Sequence, residues 1–357
     1  MSRFLFALWQ GGGTVLPQVA LAKRLARRGH DVRVLGPASL ASIVPAECEA
    51  VAGVVAEWQP QRGLLLSEQI GEFTRYLCGP EWRDAVAAEL ELRPADAFVC
   101  DRHLPGATVA SSALGTPTAL IVTCLFKGWY DEWGGYVLDG ESTRDVQARV
   151  DLTLALTPGE LDFTTGELPP DVLYVGPVSD PDPVEPFPFP WPAGNDDPLV
   201  VVSFSTVYQR QEVALGHVVE ALADLPVRTL VLAGEGLDVP VPTHVCLRRW
   251  VPHSAVMPSA SLCVTHGGCG TTMSALAAGV PLLVLPHLIE QALNGHRVSQ
   301  LGAGRLVSAD ADARELREAV LELLGDPSFR AAAQRASAWF DDGSTRAVEA
   351  LETLARS

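Results

Sequence analysis

Short apolar runs of about four to six residues, each followed by a stretch of helical spacing, recur along this chain in the rhythm of buried strands alternating with helices. Phe4 to Trp9, Asp31 to Leu35, Ala97 to Cys100, Thr118 to Val122, Leu152 to Leu156 and Leu173 to Val175 predict the strands of a first set. They are almost continuously apolar, as in sheets covered on both faces. Pro17 to Arg28 predicts a helix between the first two, opened by proline, with Lys23, Arg24, Arg27 and Arg28 towards its end and Gly29 beyond. A second set of strands is predicted at Leu199 to Phe204, Arg228 to Ala233, Cys246 to Arg248, Leu262 to Thr265 and Leu282 to Leu285. Helices are predicted at Thr271 to Ala278, Leu316 to Leu324, Phe329 to Ala336 and Arg346 to Ala355. Strand and helix in alternation mean parallel sheets, hence an α/β protein.

The two sets are separated by a change of composition. Pro177 to Pro198 reads PVSDPDPVEPFPFPWPAGNDDP, where repeated prolines exclude a helix or a central strand. Residues 1–180 are thus expected to form one doubly wound domain, residues 181–198 a linker, and residues 199–340 a second domain facing the first across a cleft.

Length and composition agree. A chain of 357 residues exceeds what one core usually organises, and 48% hydrophobic residues can fill two. The charge of −17, from 26 Lys and Arg against 43 Asp and Glu, argues against nucleic acid or an anionic membrane as partner. No apolar run has membrane-spanning length and no signal-peptide pattern opens the chain, so a cytoplasmic location is expected. The seven cysteines are an odd set without a C-x-x-C pair, which points to reduced thiols and to no metal site.

The most informative segment is CVTHGGCGTTMSALAAGVPLLVLPHLIEQALNGHRVSQLG, from Cys263 to Gly302. An apolar strand gives way to His266 and to Gly267, Gly268 and Gly270, and a helix then begins. Such a loop lets backbone N–H groups approach a diphosphate closely, and the positive end of the helix favours the anion. His266 can add a side-chain donor. After the next strand, His287, Glu290, Gln291 and Asn294 offer hydrogen-bonding groups suited to sugar hydroxyls.

Together with the upstream Arg249-Trp250-Val251-Pro252-His253, this segment resembles the donor signature of the family 1 glycosyltransferases, which have the GT-B fold of two Rossmann-like domains. The register covers Trp250 and Pro252 of a W-x-P-Q element, the H-G-G-x-G-T block at His266 to Thr271, the G-V-P at Gly279 to Pro281 and an acidic-Gln pair at Glu290 and Gln291. The resemblance implies that Trp250 and Val251 hold the base of a UDP- or dTDP-sugar, that His266, Gly268, Gly270 and Thr271 hold its diphosphate, and that Glu290 and Gln291 hold the sugar. Ser203 and Thr206, in a V-S-x-G-T-like strand end, are further phosphate candidates. It also implies a tail, residues 341–357, that returns to the first domain. The sequence departs from the family in Glu290 for Asp, in His253 for Gln, in Ser205 for Gly and in Ser274 at the place of a ribose-binding Glu.

The first-domain loop, Gln10-Gly11-Gly12-Gly13-Thr14, lacks G-x-G-x-x-G, and the next strand ends at Gly36-Pro37 without an acid, which excludes a Rossmann dinucleotide site. In the glycosyltransferase reading this loop faces the acceptor. The family's G-H-x-x-P is here Gly13-Thr14-Val15-Leu16-Pro17, so Thr14 stands where the general-base His is expected. A threonine hydroxyl can orient a ligand but does not take a proton near neutral pH. Asp101, which matches the acid partnering that His, could act directly, or His103 could act with Asp101 orienting it. A third possibility is an acceptor acidic enough to need no base. Trp129 to Tyr136, with Phe73, Tyr76 and Trp82, suggest a flat, aromatic or polyketide-type acceptor.

The sequence therefore predicts a metal-independent, inverting transfer of a sugar from UDP or dTDP to a small hydrophobic acceptor, with O- or C-linkage. A sugar-nucleotide epimerase of the same fold and a catalytically silent nucleotide-sugar-binding partner are the alternatives.

Overall fold

The computed structural model describes residues 1–9, 11–58, 66–127, 137–138, 141–163, 172–192, 194–205, 211–234 and 240–357. Two compact units are formed, one by Met1–Pro181 together with Asp341–Ser357, the other by Asp182–Phe340.

The first unit is built on a seven-stranded sheet. Its strands are β1 (Arg3–Ala7), β2 (Asp31–Gly36), β3 (Glu49–Ala52), β4 (Ala97–Asp101), β5 (Thr118–Val122), β6 (Leu152–Ala155) and β7 (Val172–Tyr174). They lie in the order β3-β2-β1-β4-β5-β6-β7, all parallel. The order reverses direction between β1 and β4, so the loops leaving these two strands diverge to opposite faces and open a crevice at their C-terminal ends. Helix α1 (Val15–Arg27) starts two residues before the predicted proline, because a 3₁₀ turn over Gly12–Thr14 leads straight into it. Phe4, Phe6, Val32, Val34, Val99 and Ile121 of the central strands are buried with Leu21 and Leu25 of α1. Each such side chain contributes roughly 1.5–3 kcal/mol on leaving water. Helices α2 (Leu66–Cys78), α3 (Pro80–Leu92) and α4 (Pro105–Ala113) follow in the same unit, with a short helix at Thr143–Gln147.

The second unit has a six-stranded parallel sheet. Its strands are β8 (Leu199–Ser203), β9 (Arg228–Leu232), β10 (Cys246–Arg248), β11 (Leu262–Thr265), β12 (Leu282–Val284) and β13 (Gly304–Leu306). Their order is β10-β9-β8-β11-β12-β13, which places the switch point between β8 and β11. Five longer helices accompany them, α5 (Glu212–Leu222), α6 (Cys269–Ala277), α7 (Ile289–Gln300), α8 (Ala313–Gly325) and α9 (Pro327–Ser337), besides a one-turn helix at His253–Val256. Val200, Val202, Val231, Val264 and Leu283 pack with Leu215, Val218 and Leu222 of α5 and with Leu316, Val320 and Leu323 of α8.

The tail forms α10 (Ser344–Leu354) and packs with the first unit, where Ala347, Val348 and Leu351 join the core of α1 and the sheet. Polar contacts fix it further: Arg28 pairs with Glu352 at 2.7 Å, and the Arg346 guanidinium donates to the Val175 carbonyl at 2.6 Å. The chain enters this helix through Gly343, where a Cβ would lie 2.0 Å from the Val175 oxygen.

Among its described residues, Pro177 to Pro198 contains no helix or strand. Its aromatic part is nevertheless not a bare tether. Phe187, Phe189 and Trp191 contact one another in sequence, at 5.2 and 6.0 Å between ring centroids, and the guanidiniums of Arg248 and Arg228 lie 5.9 Å from Phe187 and Trp191. Among the described residues, no helix is long and apolar enough to cross a membrane.

Candidate active site

In each unit the candidate residues follow the C-terminal ends of parallel strands: β1 and β4 in the first unit, and β8, β10, β11 and β12 in the second. In the second unit β11 ends at Thr265, and the chain turns through His266, Gly267 and Gly268 into α6. The turn depends on glycine twice. Gly267 has φ +87°, and a Cβ there would lie 2.8 Å from the Gln291 carbonyl oxygen. On Gly268 a Cβ would lie 2.5 Å from His266 Nε2, so this residue keeps the space beside the imidazole open. The loop is pinned on both sides: the Gly267 amide donates to Thr265 Oγ1 at 3.2 Å, and Asn294 Nδ2 of α7 donates to the Gly267 carbonyl at 2.8 Å. Asn294, expected near sugar hydroxyls, is thus buried and committed to the backbone of the phosphate loop.

Helix α6 begins at Cys269, two residues earlier than predicted, which puts Gly270 and Thr271 in its first turn. Gly268 is its N-cap residue and no side chain caps it. The first turn therefore presents helix-terminal amides and the positive end of the dipole without a capping side chain over them. Ser203, at the end of neighbouring β8, is buried, and its Oγ lies 2.9 Å from His253 Nε2. His253, the residue at the place of the expected glutamine, therefore supports Ser203.

Burial drives both His253 and His266 down to about 4, although a backbone hydrogen bond involving Ser203 opposes the shift at His266. Burial also lowers His287, whose Nδ1 lies 3.0 Å from the Leu285 carbonyl oxygen. These imidazoles are neutral hydrogen-bonding groups near pH 7. Trp250 is 58% exposed, an open indole face, while the adjoining Val251 is buried. Glu290 is half-buried in the first turn of α7. The side chain of Gln291 is buried, and its Oε1 accepts from the amides of His287 and Leu288 at 2.8 and 3.1 Å. The carboxamide oxygen expected to meet a sugar therefore shapes the entry to α7. Thr206 and the Trp129 to Tyr136 segment lie outside the described residues.

In the first unit, Asp101 ends β4 and is fully buried. Its Oδ1 accepts from the His103 amide at 2.9 Å and lies 2.5 Å from His103 Nδ1, while Oδ2 accepts from Gln18 Nε2 at 2.8 Å. Burial alone would raise the carboxyl, but the charges of His103 and Arg102 and the hydrogen bonds from His103 hold it below its ordinary value. An ionised carboxylate with both oxygens engaged and no exposed surface is poorly placed to touch an acceptor itself. Thr14 donates its hydroxyl to the Gly11 carbonyl at 3.3 Å, and its own carbonyl accepts from Gln18 Nε2 at 3.0 Å. Gln18 thus ties the glycine loop to Asp101. No motif marks it; its only sequence signal is a place one helical turn after Thr14 on the α1 face.

A series of aromatic contacts leads from His103 into the domain. The His103 ring meets Trp9 at 5.5 Å, Trp9 meets Phe73 at 5.0 Å, Phe73 meets Trp58 at 5.2 Å, and Trp58 meets Tyr76 at 5.6 Å. Phe73 and Tyr76 lie three residues apart on α2 and so share a face. Trp82, expected to touch the acceptor, is a fully buried core residue. Trp9 and Trp58 are additions that the sequence reading did not make.

Residues 217–342 match the family described as the C-terminal domain of erythromycin biosynthesis protein CIII-like proteins. The chain is 28% identical over 397 residues to the 4'-demethylrebeccamycin synthase of Lentzea aerocolonigenes, an alignment covering 94% of each. Among solved structures, the glycotransferase of kitacinnamycin superposes with a TM-score of 0.82 at 22% identity, covering 99% of both chains. Glycosyltransferase VinC, solved in complex with dTDP, superposes with a TM-score of 0.73 at 20% identity, again over 99% of both chains. The two parallel-sheet units with their strand-end sites are thus those of a GT-B protein, and the chain is a glycosyltransferase with an EryCIII-like C-terminal domain over residues 217–342.

Proposed function

We propose that the protein transfers a sugar from a UDP- or dTDP-sugar to a small hydrophobic, aromatic or polyketide-type acceptor, with inversion at the anomeric carbon. The observation that carries this reading is the uncapped N-terminus of α6 beneath His266, with Gly268 holding the space between them free of side chain. A diphosphate placed there accepts from helix-terminal amides and from a neutral imidazole. These fixed dipoles stabilise the negative charge that grows on the leaving phosphate as the glycosidic bond breaks. Apart from Glu290, the site residues described around this loop are neutral, a donor set that suits the phosphate itself rather than a divalent ion. Among the described residues, no group of His, Cys, Asp and Glu could hold a metal. Trp250 offers the exposed ring for the base, and Glu290 a carboxylate for sugar hydroxyls. The dTDP complex of VinC supports a nucleoside diphosphate as the leaving group. The partly exposed rings of Phe73, Trp58 and Tyr76 support a flat apolar acceptor. A cytoplasmic setting, where nucleotide sugars are made, suits this reaction.

Calorimetric titration with UDP and dTDP, of the native protein and of His266→Ala, tests the donor site. Binding to the native protein that is weakened in the variant is expected; failure of both nucleotides to bind the native protein would overturn the reading. The anomeric coupling constant of the isolated glycoside tests inversion.

A further inference from the structure

We propose that His103 is the general base of the transfer, carried at the end of β4 and oriented by Asp101, so that no base is needed on the loop before α1. The proposal rests on the glycosyltransferase reading and names the group that takes the acceptor's proton. Three observations carry it. The side chain at the start of α1 is Thr14, whose hydroxyl is already donated to Gly11 and has no basicity near neutral pH. Asp101 is fully buried, with His103 on one oxygen and Gln18 on the other. His103 itself stays 22% exposed, so it is the member of the pair that can meet a ligand.

The hydrogen-bond arrangement then fixes which nitrogen is basic. An ionised carboxylate can only accept, so the 2.5 Å contact requires the imidazole proton on Nδ1. The lone pair is left on Nε2. The same Asp101 oxygen accepts from the His103 amide at 2.9 Å, closing a turn that holds backbone and ring together. Trp9 meets the ring edge-on at 72°, restricting its rotation. Among the described residues, the charged groups at His103 are Asp101 and, in the preceding position, Arg102; α1 contributes Gln18 and the segment leaving β1 contributes Trp9, both neutral.

In the reaction, Nε2 takes the acceptor's O–H proton as that oxygen forms its bond to the anomeric carbon. The bond from that carbon to the diphosphate breaks, and its electron pair leaves on the phosphate oxygen. The imidazolium, stabilised by Asp101, later gives its proton to solvent. The products are the glycoside, the nucleoside diphosphate and one proton. Gln18 is a positioning residue: with Nε2 on both the Thr14 carbonyl and Asp101, it holds the carboxylate that holds the base.

The test uses the full chain, UDP-glucose and dTDP-glucose as donors, and phenols of graded acidity as acceptors. His103→Ala should lower kcat by about 10²–10⁴-fold for weakly acidic phenols. It should leave UDP and dTDP affinity unchanged, remove the acidic limb of the pH–rate profile, and cost far less with 4-nitrophenol, which arrives largely ionised. Near-native turnover of the weakly acidic phenols by His103→Ala would overturn the proposal. Long-range ¹H–¹⁵N spectra of the native protein give a reading independent of turnover: His103 should carry its proton on Nδ1, and a ring protonated on Nε2 alone would overturn the assignment. Loss of nucleotide binding by the native protein would strike the donor reading, not this one. Gln18→Ala should lower kcat while leaving KM for the donor unchanged, and Gln18→Glu, which places a second carboxylate against Asp101, should shift the acidic limb.

Discussion

The two units share one plan, a parallel sheet with candidate residues at its strand ends, yet those ends carry opposite chemistry. At β11 the loop is built of glycines and of His266, which burial keeps neutral, in front of an uncapped helix. At β4 the strand ends in a buried, ionised carboxylate paired with an imidazole. The first environment suits a ligand that brings negative charge, because nothing in the loop repels it. The second suits a ligand that must lose a proton, because a fixed charge stands ready to stabilise the cation formed. One topology thus carries two opposite electrostatic environments, and the difference lies in a few residues at the strand ends rather than in the scaffold.

Acid should separate the units most visibly. Above the ordinary histidine pKa, His253 and His266 are neutral whether the chain is folded or not. As pH falls from about 6.5 to about 4, the unfolded chain binds protons that the fold excludes, so stability of the second unit is lost across that window. The Asp101 contribution has a different range: its pKa is depressed in the fold, so its stabilisation is present above the ordinary carboxylate value and is lost as pH falls through the lower, folded one. Amide exchange followed during acid titration should report the second unit opening first, and simultaneous opening would erase the distinction.

Next in size, His266→Ala should cost about 10²–10³-fold in turnover, as removal of one preorganised donor does. His253→Gln should cost much less, because its contact is to Ser203 and not to the phosphate space. Trp250→Ala removes an exposed ring, so the melting temperature should hardly move while nucleotide affinity falls by about 1–3 kcal/mol, read by calorimetry. The smallest effect tests the scaffold alone. Asp312 caps α8 by accepting from the Glu315 amide at 2.8 Å, and Asp312→Ala should lower stability by about 1 kcal/mol in denaturant titration without changing nucleotide affinity.

The buried strands were legible because parallel sheets write themselves as apolar runs, and β8, β11 and β12 coincide with such runs almost to the residue. Strand β3 was not, since Glu49–Ala52 is an edge strand with mainly exposed residues and no hydrophobic signal. Helix α7 is missing from the predicted helices because Asn294 and Gly295 interrupt its apolar pattern. Both have packing reasons: Asn294 holds Gly267, and a Cβ on Gly295 would lie 2.5 Å from Leu306 Cδ1. At the site, the His266 loop was legible from spacing because glycines and a helix start leave a local mark. The joining of Gln18 to Asp101 was not, for it links residues 83 positions apart through a fold that only the structure supplies. Tertiary neighbours likewise explain why Gln291 Oε1 and Asn294 Nδ2 hold backbone groups.

The docking of α10 onto the first unit has a consequence for the order of synthesis. Val348 and Leu351 belong to the same core as Phe4 and Leu21, yet the ribosome adds them only after the whole second unit has been synthesised. The unit made from one continuous stretch can close on itself while its predecessor still waits with one side of its core open to water. Loss of the last helix should therefore be felt at the beginning of the chain, and a nascent polypeptide should pass through a stage in which its later half is the better folded.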